Sequence, residues 1–520
     1  MNATNAMFHL DAVARSVPEP VFPPDTLDVQ IPAILRATRP FLDTDRDWMI
    51  SNVTDLQRQV SVYDALLNRI DEIRSEVQSR RDAVHKVMVV YSSTLAPVRR
   101  LPADVLRTVF RKIQVSQWRN TTQTELAFSQ GPWTLSHVCG AWRDVVLSYP
   151  QLWSHIVLRP YHVVGLTFRH TLVALKAMIL RSEQCPLDIV FKFDDEYNKD
   201  MPAEEAFSVI LEASHRWRTL LLNSCLEFLE RLKGVRGRIP RLESLTLNLS
   251  NIPERSRAEL PEDIRSSFAD APRLQKIILR GTHGLGDFVF PLHITHLAAC
   301  VENVSNLGVY QSLVECHLEI HIPSSNLDIS LPLHIFLPNV RCLFVSSLRI
   351  LAHLCLPSLS DLAITRGEDT ESIRQYAPIV NDFLHRSRCT LTRFASPNGG
   401  NDILRQASPL LMDTVVCLEG VFYSQDEDIL NALASDGFLP NLQHLRLSGS
   451  VKILTAMITS CRRHLRSVII YSHAHKLERV NQQLAQMQGP GQHFIAALEG
   501  QGCSRYGNFN RSDLDVAVDR

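Results

Sequence analysis

The chain has 520 residues, 45% of them hydrophobic and 21% charged, with a formal net charge of -1; that length allows two or more domains around a large core, and the charge balance lacks the basic footprint of a nucleic-acid binder. Eleven cysteines run from Cys139 to Cys503 without a C-x-x-C pair, which argues against a zinc ribbon or redox motif and for reduced thiols in a cytoplasmic and/or nuclear protein. The N-terminus lacks a basic region followed by an apolar core, and the longest apolar run, Leu166 to Leu180, is broken by Arg169, His170 and Lys176, so no membrane span is expected.

Residues 1–47 carry Pro18, Pro20, Pro23, Pro24 and Pro32 among few periodic apolar residues and read as a flexible leader. From 48 to 96 the pattern changes. Val53, Leu56, Val60, Tyr63, Leu67, Ile70, Val77, Val84, Met88 and Tyr91 fall on alternating steps of three and four, a heptad seam with Arg74 and Arg81 at two of its positions. Two readings stand: a homodimerising coiled coil, or an amphipathic helix packed on its own domain. Pro97 ends the helix.

In 97–157 two short helices follow. Leu101 and Pro102 mark a stop and a helix start, after which Val105, Leu106, Val109, Phe110 and Ile113 recur at helical spacing; Leu135, Val138, Cys139 and Trp142 repeat the stripe, with Arg143 beside the tryptophan and Trp153 downstream. The order Leu-Pro, Val-Cys-x-x-Trp-Arg, Leu-Trp resembles the F-box, and Trp142 to Trp153 looks like the version in large families of fungal F-box proteins. That resemblance implies docking on a Skp-type adaptor, and through it a cullin, by Leu101, Pro102, Val105, Leu106, Val109, Phe110, Leu135, Val138, Cys139 and Trp142. The other reading makes these residues the core of a small helical bundle. Gln114 to Trp133, rich in Gln, Thr and Ser, is expected to be a surface loop separating the helices more widely than in the shortest members of the family.

Over 158–481 short strands are expected. Ser154 to Leu158 and Leu187 to Phe191 are the first, and then a motif returns at Pro240, Pro272, Pro338, Pro357 and Pro440: proline, an apolar residue two positions on, and further apolar residues three and five beyond that. Leu313-x-x-Cys316-x-Leu318 and Leu465-x-x-Val468-x-Ile470 lack only the proline. The pattern resembles the strand segment of leucine-rich repeats, in which each unit adds one strand to a parallel stack. Intervals of 32, 27 and 19 residues between copies predict an irregular, leucine-rich-repeat-like solenoid, with helices such as Ser372 to Arg386 and Asp426 to Leu433 on its outside. The fold class is thus mixed α and β, α+β or α/β, with parallel strands. Side chains alternating with the buried ones, Ser244, Thr246, Lys276, Arg341, His444 and Arg446, are candidates for capturing a target protein. The glycines of 482–520 predict a disordered tail.

No Walker loop, G-x-S-x-G elbow or H-E-x-x-H helix is present. His293-x-x-His296 with Cys300 lacks a second ligand pair, His473 and His475 stand alone, and Asp194 to Glu196 and Asp426 to Asp428 read as a solvated loop and a helix N-terminus. The expectation is therefore a non-catalytic chain without cofactor or metal: the substrate-recognition subunit of a Skp–cullin–F-box ubiquitin ligase, or alternatively a coiled-coil and repeat scaffold with no ligase role.

Overall fold

The structure, a computed structural model, describes residues 3–22, 30–36, 38–120, 131–158, 168–192, 203–223, 226–249, 260–281, 284–301, 304–319, 334–364, 376–396, 401–406, 408–422, 426–433, 435, 437–449, 465–472, 477–489 and 491–498. The chain divides into two compact units, Met1–Pro102 and Ala103–Arg520.

The first unit contains helices α1 (Ala3–Arg15), α2 (Gln30–Leu35) and α3 (Asp43–Leu95). The leader expected to be flexible is in part helical, and part of it is tied down. The Tyr63 hydroxyl donates to the Pro18 carbonyl at 2.6 Å, while Gln59 pairs both ways with the Val21 backbone at 2.8 and 2.9 Å. Helix α3 starts where Asp45 accepts the Leu42 N–H at 3.0 Å, satisfying one orphan donor of a first turn, and stops before Pro97. None of its 53 residues is buried.

The second unit opens with α4 (Ala103–Asn120), α5 (Gly131–Ser136) and α6 (Gly140–Leu147), then a 3-10 turn at Pro150–Trp153. The expected loop from Gln114 to Trp133 is corrected at both ends, because helix continues through Asn120 and resumes at Gly131. Gln114, expected on the surface, is buried and donates to the Leu152 carbonyl at 2.9 Å. The middle of that loop lies outside the described residues.

Among the described residues a parallel sheet of 14 strands follows. Its strands are β1 (His155–Leu158), β2 (Leu187–Lys192), β3 (Trp217–Asn223), β4 (Ser244–Leu249), β5 (Lys276–Gly281), β6 (His296–Cys300) and β7 (Glu315–Glu319). Beyond a two-stranded parallel pair, β8 (Ile335–Phe336) with β10 (Leu354–Cys355), it continues through β9 (Cys342–Val345), β11 (Asp361–Ile364), β12 (Arg393–Ser396), β13 (Cys417–Phe422), β14 (His444–Gly449), β15 (Ser467–Ser472) and β16 (His493–Leu498). Neighbours in the large sheet follow chain order, as a solenoid requires.

One buried column crosses every strand in register: Ile156, Ile189, Leu220, Leu245, Ile277, Leu297, Cys316, Leu343, Leu362, Phe394, Leu418, Leu445, Val468 and Phe494. Each is at most 4% exposed, and each full burial of a Leu-sized side chain contributes about 1.5–3 kcal/mol. Helices α7 (Phe168–Arg181) and α8 (Ala203–Glu212), and later Tyr376–Ser387 and Glu427–Leu433, pack on this side in the same apolar cluster.

Two expected boundaries are corrected. One apolar cluster includes residues from Leu106 to Phe494, so helices α4–α6 and the parallel sheet share one core instead of parting at 157/158. The tail expected from 482 contributes the end of helix Leu477–Met487 and then β16, whose six residues pair in parallel with β15; residues 499–520 lie outside the described residues.

Candidate docking surfaces

Helix α4 carries two adjacent rows with opposite fates. Leu106, Phe110 and Gln114 are buried, whereas Val105, Val109 and Ile113, one step round the helix at the same four-residue spacing, are exposed. The inner row is held by the second helix pair. Phe110 meets the half-buried Trp142 ring at 4.8 Å between centroids, and Leu135 packs on the same core. Trp133 stands edge-on to Trp153 at 4.9 Å, and the Arg181 guanidinium lies over both rings at 4.7 and 4.5 Å, a cation–π arrangement. Trp153 Nε1 donates to the Val146 carbonyl at 2.9 Å, and Arg143 Nε to the Ser136 carbonyl at 3.0 Å.

The ten candidate docking residues therefore separate. Leu101, Pro102, Val105, Val109 and Val138 are exposed, Leu135, Cys139 and Trp142 are half-buried, and Leu106 and Phe110 are buried. The last two belong to the core and support the outer row instead of forming it.

A second surface is the sheet face opposite the main core. Ser244 and Lys276 pair in one row across it, and His444 lies in that row through its pairing with Cys417; Arg446 pairs with Glu419 one row along. Two of the six candidate target-binding residues sit differently from the other four. Thr246 is buried on this face among neighbouring strands. Arg341 precedes β9, in the row where each backbone carbonyl accepts the next repeat's entry: the Arg341 carbonyl receives the Ser360 and Asp361 N–H groups, both at 3.0 Å. Its position matches Glu243, not Ser244.

Three polar groupings on this face are absent from that prediction. Arg393 lies 3.8 Å from Asp361 and 3.0 Å from Glu419, which Arg446 approaches to 3.7 Å. Burial pushes the Glu419 carboxyl up against the opposing pull of Arg393 and Arg446. Asp188 pairs with Arg218, takes the Thr219 hydroxyl at 3.0 Å and faces His155 at 3.8 Å; burial alone would raise its carboxyl, but the hydrogen bonds and charges of His155 and Arg218 hold it at about 2. His317 stacks on Phe344 at 3.8 Å and meets Glu315 at 2.8 Å, with burial lowering its imidazole despite the acid. The Cys417 thiol in this row is raised by burial, as is that of Cys389 in the main core, to about 11, so both stay protonated near neutrality.

The signal that would have found these groups is the residue one position before each motif's second apolar residue. Asp188, Glu315, Asp361 and Arg393 all occupy it, as Ser244, Lys276 and His444 do.

Neither the known family models nor the curated proteins match this chain. Among solved structures, a crystal structure of a Bacteroides fragilis protein is similar to it at 13% identity and a TM-score of 0.31, over 57% of this chain and 85% of that one. No helix among the described residues is long and apolar enough to cross a membrane.

Proposed function

We propose that this chain is the substrate-recognition subunit of a Skp–cullin–F-box ubiquitin ligase, acting in the cytoplasm and/or nucleus. The F-box-like helices dock on a Skp-type adaptor that bridges to a cullin, and the repeat face holds a target protein. No bond is made or broken by the chain itself; it raises the effective concentration of target beside the transfer machinery. The observation that carries this reading is the outer row Val105, Val109 and Ile113, apolar and exposed in a segment whose residue order resembles the F-box. A bundle core alone gives no reason for apolar residues on that side of the helix.

The test is binding of a purified Skp-type adaptor to Val105→Asp with Val109→Asp, beside Leu101→Ala with Pro102→Ala. Charges in an apolar contact remove burial and leave an unpaired ion, so affinity should fall by about 30-fold or more, the scale of a lost hot spot, with an unchanged melting curve. Full-strength binding by both variants would remove the docking assignment. The second reading, a scaffold without ligase role, draws on α3, a long helix with no buried residue; failure of the unmodified chain to bind the adaptor would favour it.

A further inference from the structure

We propose that α3 pairs with the α3 of a second copy as an antiparallel coiled coil centred on Glu72, an inference independent of the ligase reading. Val53, Val60, Leu67, Ile70, Val77, Val84, Met88 and Tyr91 are all more than half exposed, on a helix of 53 residues that is about 80 Å long at 1.5 Å per residue. A single helix of this kind gains little stability from propensity alone and leaves a long apolar stripe in water. Among the described residues the leader is hydrogen-bonded to one edge of this stripe. Its contacts at Gln59 and Tyr63 leave Leu56 and Tyr63 half-buried, while the eight positions above stay open.

The two arginines decide the orientation. In a parallel pair each seam position faces its own copy, so Arg74 would meet Arg74 and Arg81 would meet Arg81, like charges inside an apolar layer. In an antiparallel pair the first and fourth heptad positions face each other. With the pair centred on Glu72, Val53 faces the partner's Tyr91, Leu56 the partner's Met88, Val60 the partner's Val84 and Leu67 the partner's Val77, and the seam closes with no position left over.

Arg74 then faces the partner's Ile70 beside the partner's Asp71, and Arg81 faces the partner's Tyr63 beside the partner's Asp64. Each buried guanidinium gains an acid at its rim. The charge along the helix agrees: residues 43–72 hold seven acids and three bases, net -4, and residues 73–95 hold four bases and two acids, net +2. Only the reversed arrangement lays the acidic half over the basic half, and this self-complementarity is what selects a second copy over an unrelated partner.

Cross-linking of the full-length chain tests it. Val53→Cys and Tyr91→Cys, purified separately, should form an intermolecular disulfide between the two new sites when mixed and mildly oxidised, and neither variant should do so at its own site when oxidised alone; peptide mass mapping separates these bonds from native cysteines. Sedimentation should show a dimer that weakens about 30-fold or more in Leu67→Asp with Val77→Asp, both exposed positions whose loss does not disturb a core. A disulfide formed equally well by Val53→Cys alone would overturn the orientation. A monomeric unmodified chain at micromolar concentration, or a double variant that still dimerises, would overturn the pairing.

Discussion

Val109 and Phe110 are neighbours in sequence with opposite surroundings, one exposed and the other fully buried against Trp142. Phe110→Ala should therefore cost about 3–5 kcal/mol, the transfer loss plus the cavity left under Trp142, while Val109→Ala should stay within about 0.5 kcal/mol; urea unfolding of each variant measures both. Asp188 adds a dependence on pH. Its carboxyl is held at about 2 in the folded chain, below its value of about 3.9 in an unfolded one. Between those values the unfolded state binds more protons, so the contribution, about 2 kcal/mol, is complete above pH ~4 and is lost as pH falls toward ~2. Asp188→Asn should flatten the stability profile in that window. A profile that keeps the same slope would show that Arg218 and His155 do not hold the proton off this carboxylate.

At the scale of elements, strands whose copies keep the full apolar pattern are the ones legible in the sequence. Leu245, Leu279, Leu343, Leu362 and Leu445 are all buried, in β4, β5, β9, β11 and β14 of the one parallel sheet, with β6 and β7 and then β12 and β13 lying between them. The strands that escaped have a substituted slot. In β12 the last apolar place is Ser396, and in β13 it is Gly420, where an added Cβ would meet the Phe422 ring at 2.8 Å; that buried phenylalanine fills the space instead. Trp217-x-x-Leu220-x-Leu222 and Ile294-x-x-Leu297-x-Ala299 fit the template once tryptophan and alanine are admitted, so β3 and β6 were readable.

Strand β16 was hidden for a different reason. Gly489 to Gly491 looks like the start of a frayed end, yet Gly491 sits at φ +78° in a turn closed by the Gln492 N–H on the Gly489 carbonyl at 3.2 Å, and this turn delivers β16 to the edge of β15. Left-handed backbone costs an L side chain about 1–2 kcal/mol, so Gly491→Val should loosen the last strand. Amide exchange should rise in 493–498 and stay unchanged at β4 and β5.

On the scale of the whole molecule, stability in a stack of repeats spreads mainly between neighbours, and the single core joining α4–α6 to the sheet makes those helices the cap of the first strand. Trp153 is the joint. It is fully buried, bonds α6 through the Val146 carbonyl, stands against Trp133 and lies under Arg181 of α7. Sequence alone placed this tryptophan in the helical motif and could not show its second role, because the contact with Arg181 joins segments that local periodicity treats as separate. Trp153→Ala should cost about 3–5 kcal/mol locally, and in a quasi-one-dimensional stack that loss decays along the strands. Hydrogen exchange should accelerate most in α4–α6, β1 and β2, less in β4, and not measurably in β14 to β16. An equal acceleration at β15 would mean that the stack unfolds as one cooperative block and that the helices are integral to it, not a cap on its first strand. The local outcome also bears on the proposed function: adaptor binding through the outer row of α4 should weaken together with the protection of α4, while the polar sheet face around Arg446 and Glu419 keeps its geometry.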